Sequence, residues 1–187
     1  MILTASFVPW KTPPEVVPIE VLVLGGTMLV LIVLLHGAGL DRVVTLYKKR
    51  ADMMRTRKRH PHFATYIFAG TILLILMLHI TEACIWGIVL NKVGLVENLR
   101  DSIYFSANTY TTIGYGQMIL PFAWRELSPI MAISGLFTFA WTTGEMFNIA
   151  QHQHQLVADL SDHRKNTQRS KQKSPSPEVA SKQDDQH

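Results

Sequence analysis

The sequence predicts an all-α membrane protein, and three observations carry that expectation. Three apolar runs are each long enough to cross a bilayer, and the basic residues gather after the first and third of them. A third feature is a short insert between the second and third runs, dense in hydroxyls and glycine and too mixed to span as one helix. The composition agrees: 48% of the 187 residues are hydrophobic and 17% charged, where soluble domains carry about 25% charged residues. A single cysteine, Cys84, excludes an intrachain disulfide and a multi-cysteine metal cluster.

Residues 1–20 are expected outside the membrane. The first run, VLVLGGTMLVLIVLLHGAGL, covers 21–40. A helix rises about 1.5 Å per residue, so roughly 20 residues cross a hydrocarbon core of about 30 Å. This run is not read as a cleaved signal, because a signal carries positive charge ahead of its apolar stretch. Here Lys11 stands alone against Glu15 and Glu20. Residues 41–62 form a basic linker, the second run follows from about Phe63 to Leu90, and the third from about Leu127 to Ile149. Residues 151–187 read as a polar tail; Ser, Gln, Lys, Asp and Pro dominate from 164 onward, so that stretch is expected to be disordered.

Charge sets the direction of each span. Arg42, Lys48, Lys49, Arg50, Arg55, Arg57, Lys58 and Arg59 lie in the linker, and Arg164, Lys165, Arg169, Lys171, Lys173 and Lys182 in the tail. The positive-inside rule puts both groups on the cytoplasmic face. The N-terminus and the insert then face outward and the tail inward, in a cell membrane crossed three times. The 48–59 run either lies along anionic lipid, each cation contributing about 1 kcal/mol near the surface, or serves as a topology signal alone.

The insert includes DSIYFSANTYTTIGYGQ. A short helix is expected from Asn98 or Asp101 to about Thr109, with Asp101 or Ser102 near its N-cap. Ile103, Tyr104, Phe105 and Ala107 make it apolar enough to be buried. An irregular extended stretch, TYTTIGYG at 109–116, follows without a single charge. Non-helical backbone at membrane depth is tolerated only where protein buries it or where it lines a watery path, so the insert is expected to be re-entrant. Gly114 and Gly116 can take positive φ. Alternation of left- and right-handed residues would point successive carbonyls to one side, with the Thr112 hydroxyl adding an oxygen. Four such strands around an axis would form stacked oxygen cages able to replace the water shell of a monovalent cation, and the negative end of the short helix would favour that charge.

TTIGYG at 111–116 resembles the selectivity filter of potassium channels, T-V/I-G-Y-G, and the surrounding order of outer helix, short helix, filter and inner helix is similar to that family's pore module. The resemblance covers about Thr65 to Gln151, within a module placed at 63–150. It implies a homotetramer, this chain with three further copies of itself, that conducts K⁺ passively. It implies ion coordination by Thr112, Ile113, Gly114 and Tyr115, with Gly116 closing the outer mouth. Thr111 belongs to the same support, and Tyr104 and Phe105 fall where the family places aromatics that brace the filter. It calls for no cofactor beyond the conducted ion, for K⁺ at the filter as the only metal, and for no nucleic acid. The family's usual Asp after the filter and Glu in the pore helix correspond to Gln117 and Asn108. This amide pair would keep the brace without ionisable protons, or Gln117 is simply an exposed residue of the mouth.

Gly135 is read as an inner-helix hinge or as a packing glycine. Leu136, Phe139, Thr143 and Phe147 recur on one helix face, expected to line the cavity, with Phe147 near the cytoplasmic constriction. Glu145 is expected to face away from the pore and to pair with an arginine of the 50–59 run. His79 and Glu82, three apart, are a candidate proton sensor or a structural hydrogen bond; a metal site needs more ligands than one span offers. The chain shows no nucleophile–base pair or nucleotide loop, so no enzyme is expected. A non-conducting or regulatory subunit of another cation channel or potassium uptake system is the alternative function.

Overall fold

A computed structural model describes residues 17–57 and 61–173. Among them every regular element is helical: α1 Ile19–Thr56, α2 Pro61–Lys92, α3 Leu99–Tyr110, a 3-10 turn at Phe122–Trp124, and α4 Leu127–Lys173. The all-α expectation is met. Ile19–Thr56 and His62–Lys92 are long and apolar enough to cross a membrane. α4 covers the third expected run and is longer still, but it interleaves Ser134, Thr138, Thr142, Thr143 and Glu145 among its apolar residues.

Local chemistry explains the boundaries. Pro61 opens α2, where its missing N–H costs nothing. α2 ends in a Schellman motif: Gly94 at φ 80° is the left-handed residue, with Gly94 N–H donating to Asn91 O at 3.0 Å and Leu95 N–H to Leu90 O at 3.0 Å. The Asn91 amide donates onward to the carbonyls of Val96 and Glu97, both at 2.9 Å, folding the turn that delivers α3.

The chain divides into two compact units, Met1–Gly39 with Leu76–Trp141, and Leu40–Ile75 with Thr142–His187. The first unit has a core of Val21, Met28 and Ile32 from α1, Ala83, Trp86 and Leu90 from α2, and Tyr110, Leu127 and Met131. Spacings of three, four and seven put each set on one helix face. The second unit has its own cluster, Ala51, Met54, Ala64, Leu156 and Leu160.

That second cluster corrects two expectations. The first helix does not end at residue 40 with its apolar run but continues through most of the basic linker to Thr56; Lys58 and Arg59 lie outside the described residues. The polar tail is helical to Lys173. Leu156 and Leu160, four apart, bury themselves with Ala51 and Met54, and an otherwise polar segment needs only that narrow apolar stripe to stay helical. Residues 174–187, like 1–16, lie outside the described residues.

Candidate functional site

The first unit builds its site around α3. Asn98 caps the helix, its side chain accepting from Arg100 N–H at 2.9 Å, so the start is at Asn98 and Asp101 sits in the first turn. The buried stripe of α3 is Ser102, Ser106 and Tyr110, at four-residue spacing. This differs from the expected apolar face: Tyr104 is 52% exposed, and Ile103, Phe105 and Ala107 are half-buried. Small residues win because α3 approaches α2 backbone to backbone. A Cβ on Gly87 would fall 2.8 Å from Ile103 Cα, and Ser102 Oγ donates to the Gly87 carbonyl at 2.7 Å. On α4, Ser134 accepts from the buried Trp86 indole at 3.1 Å.

The end of α3 is pinned more tightly. A Cβ on Gly135 would lie 1.9 Å from the Tyr110 carbonyl oxygen and 2.9 Å from its carbon. No side chain fits there, so Gly135 is a close-approach glycine and α4 is continuous through it.

The segment after α3 has an alternating backbone. Thr112 has φ 60°, Gly114 63° and Gly116 144°, and Thr112 is the one non-glycine with positive φ among the described residues. Ile113 and Tyr115 between them have negative φ. Thr112 takes the left-handed place after a helix that glycine usually fills, its N–H donating to Thr109 O at 3.0 Å. A β-branched residue is strained there. Thr111 Oγ1 donates to Ala107 O at 2.6 Å, and Gly114 N–H to Asn108 O at 3.1 Å, so the segment hangs from the helix end. Residues 111–119 are all exposed in the single chain, Ile113 at 68% and Tyr115 at 75%.

Of the expected support residues, Tyr104 places its ring edge 3.7 Å from the Cβ position of Gly116, and Phe105 packs on the core. The amide brace does not form in the chain: Asn108 Nδ2 donates to Tyr104 O, one turn back, at 2.8 Å. Among the described residues no hydrogen bond joins it to Gln117, which is exposed, because the bond within its own helix takes the amide first. On α4, Leu136 and Phe139 are both exposed in the single chain, and Phe139 also stacks on His79 with ring centroids 4.2 Å apart. In the second unit Thr143 and Phe147 are exposed and Glu145 is half-buried. Glu145 makes no ion pair among the described residues; the arginine that finds an acid is Arg55, on Asp159. Asp159 lies about 14 residues further along α4, a register that sequence spacing could not set.

His79 and Glu82 do come together, within a larger buried group. His36 Nδ1 lies 2.9 Å from Glu82 Oε1, and the Tyr110 hydroxyl donates to Glu82 Oε2 at 2.5 Å. His79 Nδ1 lies 3.2 Å from that hydroxyl and 3.9 Å from Glu82 Oε2. Thr138 Oγ1 is 2.7 Å from the Tyr110 oxygen. His36, Tyr110 and Thr138 are absent from the sequence-based site. Their signal was present only as polar groups inside apolar helices, which must find partners when buried.

Residues 62–152 match the ion channel family model. No curated protein and no solved structure gives a significant match. The match starts after α1 and takes in α2, α3, the segment that follows it, and the first half of α4.

Proposed function

With an ion channel match over residues 62–152 as its premise, we propose that four copies of this chain form a potassium-selective channel. K⁺ passes through a ring of oxygens from Thr112, Ile113, Gly114 and Tyr115. The observation that carries the reading is the alternating backbone of 112–116, which is exposed in the single chain. Alternate signs of φ turn successive carbonyls to one side, the arrangement a dehydrated cation needs. Exposed non-helical backbone at membrane depth must be covered by protein or line a pore, and symmetry-related copies supply both. Closed cyclic assembly is the ordinary way for identical chains to do so.

The polypeptide crosses the membrane three times with its N-terminus outside, as its basic residues direct. Anionic lipid is the expected partner of the second unit. There Arg50 stands at a groove lined by Leu46, Met54, Phe63, Tyr66 and Leu74, a combination suited to an acyl chain and a phosphate.

The test is recording from the purified chain in bilayers under opposed K⁺ and Na⁺ gradients, with copy number measured by native mass spectrometry. A reversal potential near that of K⁺ and a tetramer are expected. Equal passage of Na⁺, or a copy number that cannot close a fourfold ring, removes the proposal.

A further inference from the structure

Glu82 is fully buried, and its ion-pair partners among the described residues are the two imidazoles of His36 and His79. One ligand atom from each of these three residues lies within 4.8 Å of the other two. His79 and Glu82 come from α2 and His36 from α1, so a second helix supplies the ligand that one span could not. The Tyr110 oxygen is a fourth donor, 2.5 Å from Glu82 Oε2 and 3.2 Å from His79 Nδ1.

Four ligands at Zn–N or Zn–O distances of about 2.0–2.2 Å stand roughly 3.3 Å apart around a tetrahedron. Four of the six separations here are 2.5, 2.9, 3.2 and 3.9 Å, measured to one or the other oxygen of Glu82, and the His36, His79 and Glu82 atoms all fall within 4.8 Å of one another, so the set is looser than a closed tetrahedron. Small side-chain rotations would close the set. The rings stand in an apolar shell: His79 stacks on Phe139 at 4.2 Å, and Trp141 lies 5.9 Å from His36. Such a shell excludes competing water and strengthens each ligand bond. Thr138 Oγ1, 2.7 Å from the Tyr110 oxygen, orients that donor from behind.

We propose that His36, His79, Glu82 and Tyr110 form a binding site for a divalent transition-metal ion of the zinc class. Two imidazoles and one carboxylate suit a borderline cation rather than Mg²⁺ or Ca²⁺, which prefer all-oxygen cages. A divalent ion engages the imidazole lone pairs and the buried carboxylate together, and two neutral histidines leave Glu82 as the compensating charge. Tyr110 is the last residue of α3 and directly precedes Thr111, so a bound ion fixes the point from which the exposed segment hangs.

Co²⁺ is the probe. The full chain, purified with a histidine-free tag and stripped with chelator, is titrated with Co²⁺ while visible absorption and bound metal per chain are followed. About one Co²⁺ per chain with the intense ligand-field bands of a four-coordinate site is expected. Glu82→Gln and His36→Gln should each lose the bands and the stoichiometric metal. His154→Gln and His163→Gln, at exposed positions, should keep both. No uptake, weak six-coordinate bands, or bands unchanged in the Glu82→Gln/His36→Gln double variant would overturn the site. Should the variants not fold, the wild-type spectrum and stoichiometry decide alone. The readout does not involve ionic current, so it stands or falls separately from potassium selectivity.

Discussion

Replacing Gly135 by alanine should be among the costliest single-methyl additions in this chain. The new Cβ would sit 1.9 Å from the Tyr110 carbonyl oxygen, and contacts under 3.0 Å are essentially never seen. The atoms it meets first are backbone, so no rotamer change relieves the clash; α3 or α4 must move by about 1 Å. Overpacking costs about 1–3 kcal/mol, and displaced backbone belongs at the upper end. For a chain of this size about 3 kcal/mol lowers the melting midpoint by roughly 6–12 °C. The assay is thermal unfolding of the detergent-solubilised chain followed by tryptophan fluorescence, beside Gly26→Ala, whose Cβ meets nothing within 4 Å. Gly26→Ala should be neutral or slightly stabilising, since alanine favours helix by about 1 kcal/mol over glycine. A hinge glycine behaves differently: its replacement stiffens a helix, leaves melting unchanged or raised, and alters opening. If Gly135→Ala melts within a degree or two of wild type, the close-approach argument is wrong.

Four further outcomes follow from contacts elsewhere in the chain. Leu156→Ala, in the buried cluster of the second unit, should cost about 2–5 kcal/mol, whereas Asp159→Asn, which breaks an exposed ion pair, should cost less than about 1 kcal/mol; chemical unfolding monitored by circular dichroism separates them. Gly94→Ala meets no atom within 4 Å but must hold φ 80°, so about 1–2 kcal/mol of pure backbone strain is expected in the same assay. Ser102→Ala removes the bond to the Gly87 carbonyl at about 1 kcal/mol, and hydrogen exchange of α3 amides should rise while that of Leu156 and its neighbours stays constant.

The legibility of this chain followed how local each determinant is. The non-helical backbone of TTIGYG is legible because two glycines and two threonines in an uncharged stretch disfavour a helix, and the expected end of the helix before it falls within a residue or two of Tyr110. The left-handed Thr112 was not legible, because threonine gives no local signal for positive φ; the hanging segment imposes it from both sides. The extensions of α1 to Thr56 and α4 to Lys173 were missed for a related reason. Their buried residues, Ala51 and Met54 on one and Leu156 and Leu160 on the other, find cover in a cluster that also takes in Ala64 of α2, drawn from segments far apart in sequence. His79 and Glu82 were found by their spacing within one helix. His36 and Tyr110 are 46 and 28 residues from Glu82, and no spacing rule reaches that far.

The first helix also bears on how this protein can be divided. Val21, Met28 and Ile32 share one core with Trp86, Leu90 and Met131, and His36 closes over Glu82. α1 is therefore a keel rather than an appendage. A truncation beginning at residue 62 would strip the cover from a buried carboxylate and from one side of that core. Grafting this helix onto a bundle that lacks it would fail unless matching cavities were carved in the recipient, so α1, α2 and α4 can be exchanged only as a set.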